Sequence, residues 1–181
     1  MGGTVAAPIG RPWPSVQGRA LGEVVELFLS TYVNKVDRKG RVSVPATFRA
    51  ALADQRFPGI VVFPSFKNPA LDCSGIGRMD ELAARLETLD EFSEEHENLS
   101  ALLFGASQPL PFDSEGRVVL PEKFAEYARI TESAAFVGLG KSFQIWEPNL
   151  FAEHEADLRD RARRQGTRLP PLGIYADRRR E

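Results

Sequence analysis

The sequence predicts an α+β fold of two tandem β-β-α-β-β units with peripheral helices, and three observations carry that expectation. The first is an internal repeat: residues 37–48 read DRKGRVSVPATF and residues 113–124 read DSEGRVVLPEKF, identical at six of twelve positions at an offset of 113 − 37 = 76. The second is local chemistry, since each copy holds an Asp-x-x-Gly turn that in the first copy is flanked by β-branched and aromatic residues. The third is a change of period, because the apolar residues between and after the copies recur at helical spacing.

Residues 1–25 are rich in Gly, Pro and Ala without any period, so they read as a disordered leader. The first unit spans residues 28–75. In it, residues 32–36 and 41–44 read as strands of a hairpin, with Asp37 opening and Gly40 closing a type I turn with a glycine bulge. Gly40 and Gly116 supply the positive φ of that turn. Alternation then sends Val42 and Val44 to one side and Arg41 and Ser43 to the other, so Arg41 points outward. Pro45 and Pro121 stand where helices begin without losing a needed donor, giving the short helices ATFRAAL and EKFAEYA.

The repeat extends beyond this motif. Phe28 pairs with Phe104, GIVVF at 59–63 pairs with AFVGL at 135–139, and a two-residue insertion in the first copy aligns Leu71 with Ile145. Each copy is about 45 residues, too small to close a core alone. Residues 78–103 read as linking helices, from Met79, Leu82, Ala83, Leu86 and Leu89 and from Ser93 as the N-cap of a second helix ending near Phe104. The second unit spans 104–147. A C-terminal helix follows over 148–165, closing at Gly166, and residues 166–181 read as a disordered basic tail.

Composition narrows the function classes. The chain has 181 residues with 43% hydrophobic and 27% charged, enough for real cores. No apolar run approaches the roughly 18 to 20 residues of a membrane span, and no secretory signal pattern opens the chain, so no membrane partner is expected. One cysteine, Cys73, excludes an intrachain disulfide, and with only His96 and His154 beside it no zinc site is expected. A reducing, cytoplasmic location follows.

Net charge is −2, which argues against coating nucleic acid by bulk charge. Any such partner is met locally. Charge is segregated: residues 79–97 hold eight acidic residues against one Arg, and residues 159–181 hold eight Arg against three acidic residues. The acidic helical side would repel phosphate and so is expected to face away from it.

The informative motif is D-x-x-G-R-x-x-x-P, present twice. Turn geometry accounts for Asp, Gly and Pro. It does not demand Arg, yet Arg41 and Arg117 recur four residues after Asp37 and Asp113, which can orient their guanidinium groups. An outward, oriented Arg can donate two bonds to O6 and N7 of guanine or grip phosphate; the plainer alternative is an ion pair that stabilises the turn. The first turn gathers Lys35, Arg38, Lys39 and Arg41 around a single acid, whereas Asp113 and Glu115 flank Arg117. Arg41 is therefore the first candidate for base contact, with Arg38 and Lys39 on phosphate and Arg117 next.

Enzyme signatures are weak. VGLGKS at 137–142 has the end of a phosphate loop, but Ala135 stands where that motif needs glycine, and a hairpin turn explains it better. Neither histidine has a partner at catalytic spacing, and no G-x-S-x-G or H-E-x-x-H occurs. No cofactor and no small-molecule substrate are expected. Cys73 reads as a packed small side chain, and Phe143 and Trp146 as core.

FLSTYVNKVDRKGRVSVPATFRAAL, LLFGASQPLPFDSEGRVVLPEKFAEYA and VGLGKSFQIWEPNLF resemble the MraZ family of bacterial transcriptional regulators, over about residues 28–155. The resemblance implies two AbrB-like units forming a double-split β-barrel, a ring-shaped homo-oligomer, and sequence-specific binding of double-stranded DNA at promoter repeats of the cell-division and cell-wall gene cluster, hence a nucleoid association. It marks Asp37 with Arg41 and Asp113 with Arg117 as signature pairs. Residues 1 to about 25 precede the usual family start, near Val25, which points to a translation start placed too far upstream; the arginine-rich tail runs past the usual family end. An AbrB-type module acting as an antitoxin-like, protein-binding scaffold is the alternative, with the Arg pairs at a subunit interface.

Overall fold

The computed structural model describes residues 27–168; the leader 1–25 and the tail beyond residue 168 lie outside the described residues. The chain runs β1 (Thr31–Lys35), β2 (Arg41–Ser43), α1 (Ala46–Ala50), β3 (Gly59–Pro64), β4 (Ala70–Ser74), α2 (Ile76–Leu86) and α3 (Glu94–Ser100). It continues through β5 (Gln108–Pro111), β6 (Arg117–Val119), α4 (Glu122–Tyr127), β7 (Ser133–Gly138), β8 (Phe143–Trp146) and α5 (Pro148–Gln165). Helix α3 passes into a π-helical turn, Ala101–Gly105. The fold is α+β with antiparallel sheets.

Six strands form one sheet in the order β1-β7-β8-β4-β3-β5, and β2 pairs with β6 as a separate ribbon. Strand partners are thus exchanged between the two ends of the chain. β1 pairs with β7, Tyr32 opposite Phe136, and β5 pairs with β3, Leu110 opposite Ile60. This corrects the expected hairpin: β1 and β2 are joined at the Val36–Val42 bridge, the Asp37–Arg41 turn and the Asn34 side-chain bond to the Ser43 carbonyl, but they belong to different sheets. Pro109 and Pro111 are tolerated in β5 because it is an edge strand, where a missing N–H breaks no second ladder.

Two expected alignments are also corrected. β3 begins at Gly59 and β7 at Ser133, so 133 − 59 = 74, and the two extra residues of the first copy precede β3 rather than follow it. Leu71 and Ile145 keep that same offset, 145 − 71 = 74, and are direct cross-strand partners in the β4–β8 pair, as the equivalents Val42 and Val118 are in the β2–β6 pair. Phe28 belongs to the main core whereas Phe104 is half-buried beside α2, so they are not equivalents.

Helices α1 and α4 start directly after Pro45 and Pro121, whose φ of −51° and −59° are those the ring imposes. Each inserts one phenylalanine, Phe48 and Phe124, into the core between the six-stranded sheet and the ribbon. Val42 and Val118 face each other there at 0% and 1% exposure. Phe48 packs edge-on against Phe28 and Tyr32 and against Phe143 at 5.0 Å. On the outer side of the sheet, α2 covers Val61 and Phe63 with Met79, and α5 brings Leu150 and Phe151 onto Trp146. From Ala156 onward α5 is exposed, laced by Arg159–Glu155 and Arg161–Asp157 pairs and ended by Gly166 at φ 59°.

Candidate nucleic-acid interface

The site is built from the two turns. In the first, Asp37 Oδ1 accepts from the backbone N–H groups of Lys39 at 2.8 Å and Arg41 at 2.9 Å, which holds the chain in its turn. Gly40 closes it at φ 74°. Asp37 Oδ2 then accepts from Arg41 Nε and Nη2, both at 2.6 Å. One carboxylate therefore shapes the turn with one oxygen and aims a guanidinium with the other.

The second turn repeats this arrangement. Asp113 Oδ1 accepts from Glu115 N–H and Arg117 N–H, each at 2.9 Å, and Oδ2 accepts from Arg117 Nε at 2.8 Å. Gly116 takes φ 72°. One contact differs: Arg117 Nη1 also reaches Glu115 Oε2 at 2.6 Å.

The β2–β6 ribbon sets the turns relative to each other. Arg41 lies opposite Val119 and Ser43 opposite Arg117, so both arginines leave the face opposite the buried Val42 and Val118. The ladder is prolonged by Leu120 N–H donating to Gly40 C=O at 2.8 Å and Val44 N–H donating to Gly116 C=O at 3.1 Å. Each turn thus ends one strand and supports the end of the other.

Electrostatics separates the turns. Arg41, by its side-chain and backbone donors, holds the Asp37 carboxyl at about 2, down from 3.8. Asp113 is lowered for the same reasons, backbone donation from Arg117 leading, and Arg117 is raised chiefly by its bond to Asp113. Exposed Lys35, Arg38 and Lys39 surround the first turn, beside a cleft of about 420 Å³ that Thr131 and Ser133 help to line. Ser114 and Glu115 take the corresponding places in the second.

All six candidate residues, Asp37, Arg38, Lys39, Arg41, Asp113 and Arg117, lie on these two turns or the strands leaving them. Sequence reasoning missed Arg49, which crosses from α1 to the second turn. Its nearest signal is its place four residues after Pro45, on the helix that follows β2. Val137–Ser142 forms the β7–β8 hairpin turn, Leu139 N–H donating to Ser142 C=O at 2.9 Å, and not a phosphate loop. Cys73 is buried, and desolvation pushes its thiol up. His154 stacks on Trp146 at 4.8 Å, and Phe143 and Trp146 are core. Among the described residues no group of three acidic, histidine or cysteine side chains could hold a metal ion, and no helix is long and apolar enough to cross a membrane.

Sequence comparison finds relatives that cover most of the chain. A regulator from Rickettsia canadensis (strain McKiel) is 45% identical over 130 residues, covering 72% of this chain and 87% of that protein. The chain belongs to the MraZ family. A second MraZ relative, from Gluconobacter oxydans (strain 621H), is 43% identical over 155 residues, covering 84% of this chain and 94% of its own length. Both are named "Transcriptional regulator MraZ". The family model described as "MraZ protein, putative antitoxin-like" matches residues 103–168, which include the second D-x-x-x-R turn and α5.

Proposed function

We propose that this MraZ-family chain is a sequence-specific, DNA-binding transcriptional regulator without enzymatic activity, which reads promoter repeats of the cell-division and cell-wall gene cluster. The observation that carries the reading is the pair of guanidinium groups, each oriented by its own aspartate, on one outward face of a two-stranded ribbon. A two-stranded β-ribbon fits the major groove of B-DNA. Arg41 engages Asp37 through Nε and Nη2, so its Nη1–Nη2 edge stays available for O6 and N7 of a guanine. Arg38 and Lys39 then meet phosphates on either side. Arg117 has one Nη1 donor taken by Glu115, so it engages second.

Magnitudes require more than one chain. One bidentate Arg contact discriminates by about 1–3 kcal/mol, whereas specific regulators gain about 4–10 kcal/mol over non-specific binding. A ring-shaped homo-oligomer of double-split barrels, each from two AbrB-like ββαββ units, would set several ribbons on successive repeats and raise affinity through effective concentration. Such a regulator works in the cytoplasm, on the nucleoid.

The test is a gel shift of wild type and Arg41→Ala at two salt concentrations, with native mass spectrometry of both. Loss of binding with the oligomer intact supports the reading. An oligomer that falls apart instead would place Arg41 at a subunit contact and favour the antitoxin-like scaffold that the family model's description suggests.

A further inference from the structure

The second turn is poor in positive charge of its own. Where the first carries Arg38 and Lys39, it carries Ser114 and Glu115, and Glu115 engages Arg117. One cation reaches it from elsewhere. Arg49 on α1 lies across Gly116, so that a methyl group built on that glycine would come within 2.5 Å of Arg49 Nη1 and 2.6 Å of its Cζ. Its Nε donates to the Val44 carbonyl at 3.2 Å, which fixes the stem. Among the described residues no carboxylate forms an ion pair with Arg49. Asp113, close by, is already engaged by two backbone N–H groups and Arg117.

The half-buried guanidinium lines a cleft of about 220 Å³ with Ser114, Asp113 and Phe112. No such arrangement exists at the first turn. The position equivalent to 49 is 49 + 76 = 125, an alanine, and the nearest atom to a methyl group on Gly40 is the Leu120 carbonyl oxygen. The turn that lacks cations is the one that receives an arginine across the ladder. That placement follows from topology: β2 pairs with β6, and Pro45 starts α1 beside the second turn.

We propose that Arg49 is the phosphate anchor of the second turn. Its guanidinium, with the Ser114 hydroxyl, holds one backbone phosphate of duplex DNA at the mouth of this cleft and so sets where Arg117 stands over the groove. Guanidinium and phosphate match in charge and in paired donor–acceptor geometry, and among the described residues this cation has no counter-ion. The inference rests on the DNA-binding reading above.

The experiment is a salt series of binding by fluorescence anisotropy, on a duplex carrying the promoter repeats and on a scrambled duplex of equal length. Wild type, Arg49→Met, Arg49→Lys and Arg41→Ala are compared, each checked for folding by circular dichroism. A phosphate contact predicts that Arg49→Met lowers the slope of log affinity against log salt by about one per bound chain on both duplexes. Arg49→Lys retains the slope, because a point charge suffices for phosphate. Folded Arg49→Met with the wild-type slope, or identical behaviour of the Met and Lys variants, overturns the inference. If wild type binds neither duplex, the DNA reading fails with it. If Arg41→Ala loses discrimination while Arg49→Met keeps its slope, the anchor alone fails. Should Arg49→Met not fold, phenylglyoxal modification of the wild-type chain decides: protection of Arg49 by the repeat duplex supports the anchor, and equal reactivity with and without DNA overturns it.

Discussion

Arg41 and Arg117 stand diagonally across the β2–β6 ladder, Arg41 opposite Val119 and Arg117 opposite Ser43, so their guanidinium groups share one face. Residues two apart on a strand share a side, and diagonal neighbours lie about 7–8 Å apart, within reach of adjacent base pairs or a base and a phosphate. Replacing Arg41 by Ala removes one of them without touching the core. Affinity for the repeat duplex is expected to fall by about 1–3 kcal/mol per engaged turn. The melting temperature is expected to move little, since the lost ion pair is exposed. Gel shifts paired with a thermal melt check both halves.

Glu115 opposes phosphate and occupies an Nη1 donor of Arg117. Glu115→Gln is expected to raise DNA affinity roughly two- to fivefold, with the gain larger at low salt. Anisotropy titrations at two ionic strengths measure it, and unchanged or weaker binding would show that Arg117 makes no DNA contact.

The acid limb of stability carries the signature of Asp37. Its carboxyl is held at about 2 in the folded chain against 3.8 otherwise, so the folded state binds that proton less readily than the unfolded one. The stabilisation is complete above pH 4 and is lost as pH falls towards 2. Asp37→Asn is expected to flatten this part of the stability–pH curve and to leave pH 6–8 without any new titration. Urea melts from pH 2 to pH 7 test this.

Gly40 at φ 74° leaves 3.0 Å between an added methyl group and the Leu120 carbonyl oxygen. Gly40→Ala forces the left-handed region on a residue with a Cβ, at a cost of about 1–2 kcal/mol. Because that carbonyl belongs to the chain that leaves the ribbon, DNA affinity should fall together with the denaturation midpoint in urea.

Phe48 is fully buried and touches Phe28, Tyr32 and Phe143, three aromatic rings from other strands or their ends. Phe48→Ala is expected to cost about 3–5 kcal/mol, enough to threaten folding of a domain this size. Circular dichroism melts would show it.

What could be read in advance was local. Asp37, Gly40 and Pro45 each act within a few residues, through an Asx-type bond, a positive φ and a fixed ring torsion, so the turn and the helix start are visible in the residues themselves. Outward Arg41 followed from alternation alone. Strand partners were not visible, because β1 and β2 separate to pair with β7 and β6 and pairing partners distant in sequence leave no local period. The same reason hid the offset change before β3 and the reach of Arg49 to Gly116, a contact made across a ladder between distant segments.

The central claim is that Arg41 and Arg117 read base edges from one ribbon face. Methylation interference at guanine N7 on the repeat duplex measures this most directly. The expected result is that a methylated guanine in each repeat blocks wild-type binding and that Arg41→Ala becomes insensitive to that same guanine. An interference pattern identical for wild type, Arg41→Ala and Arg117→Ala would contradict it.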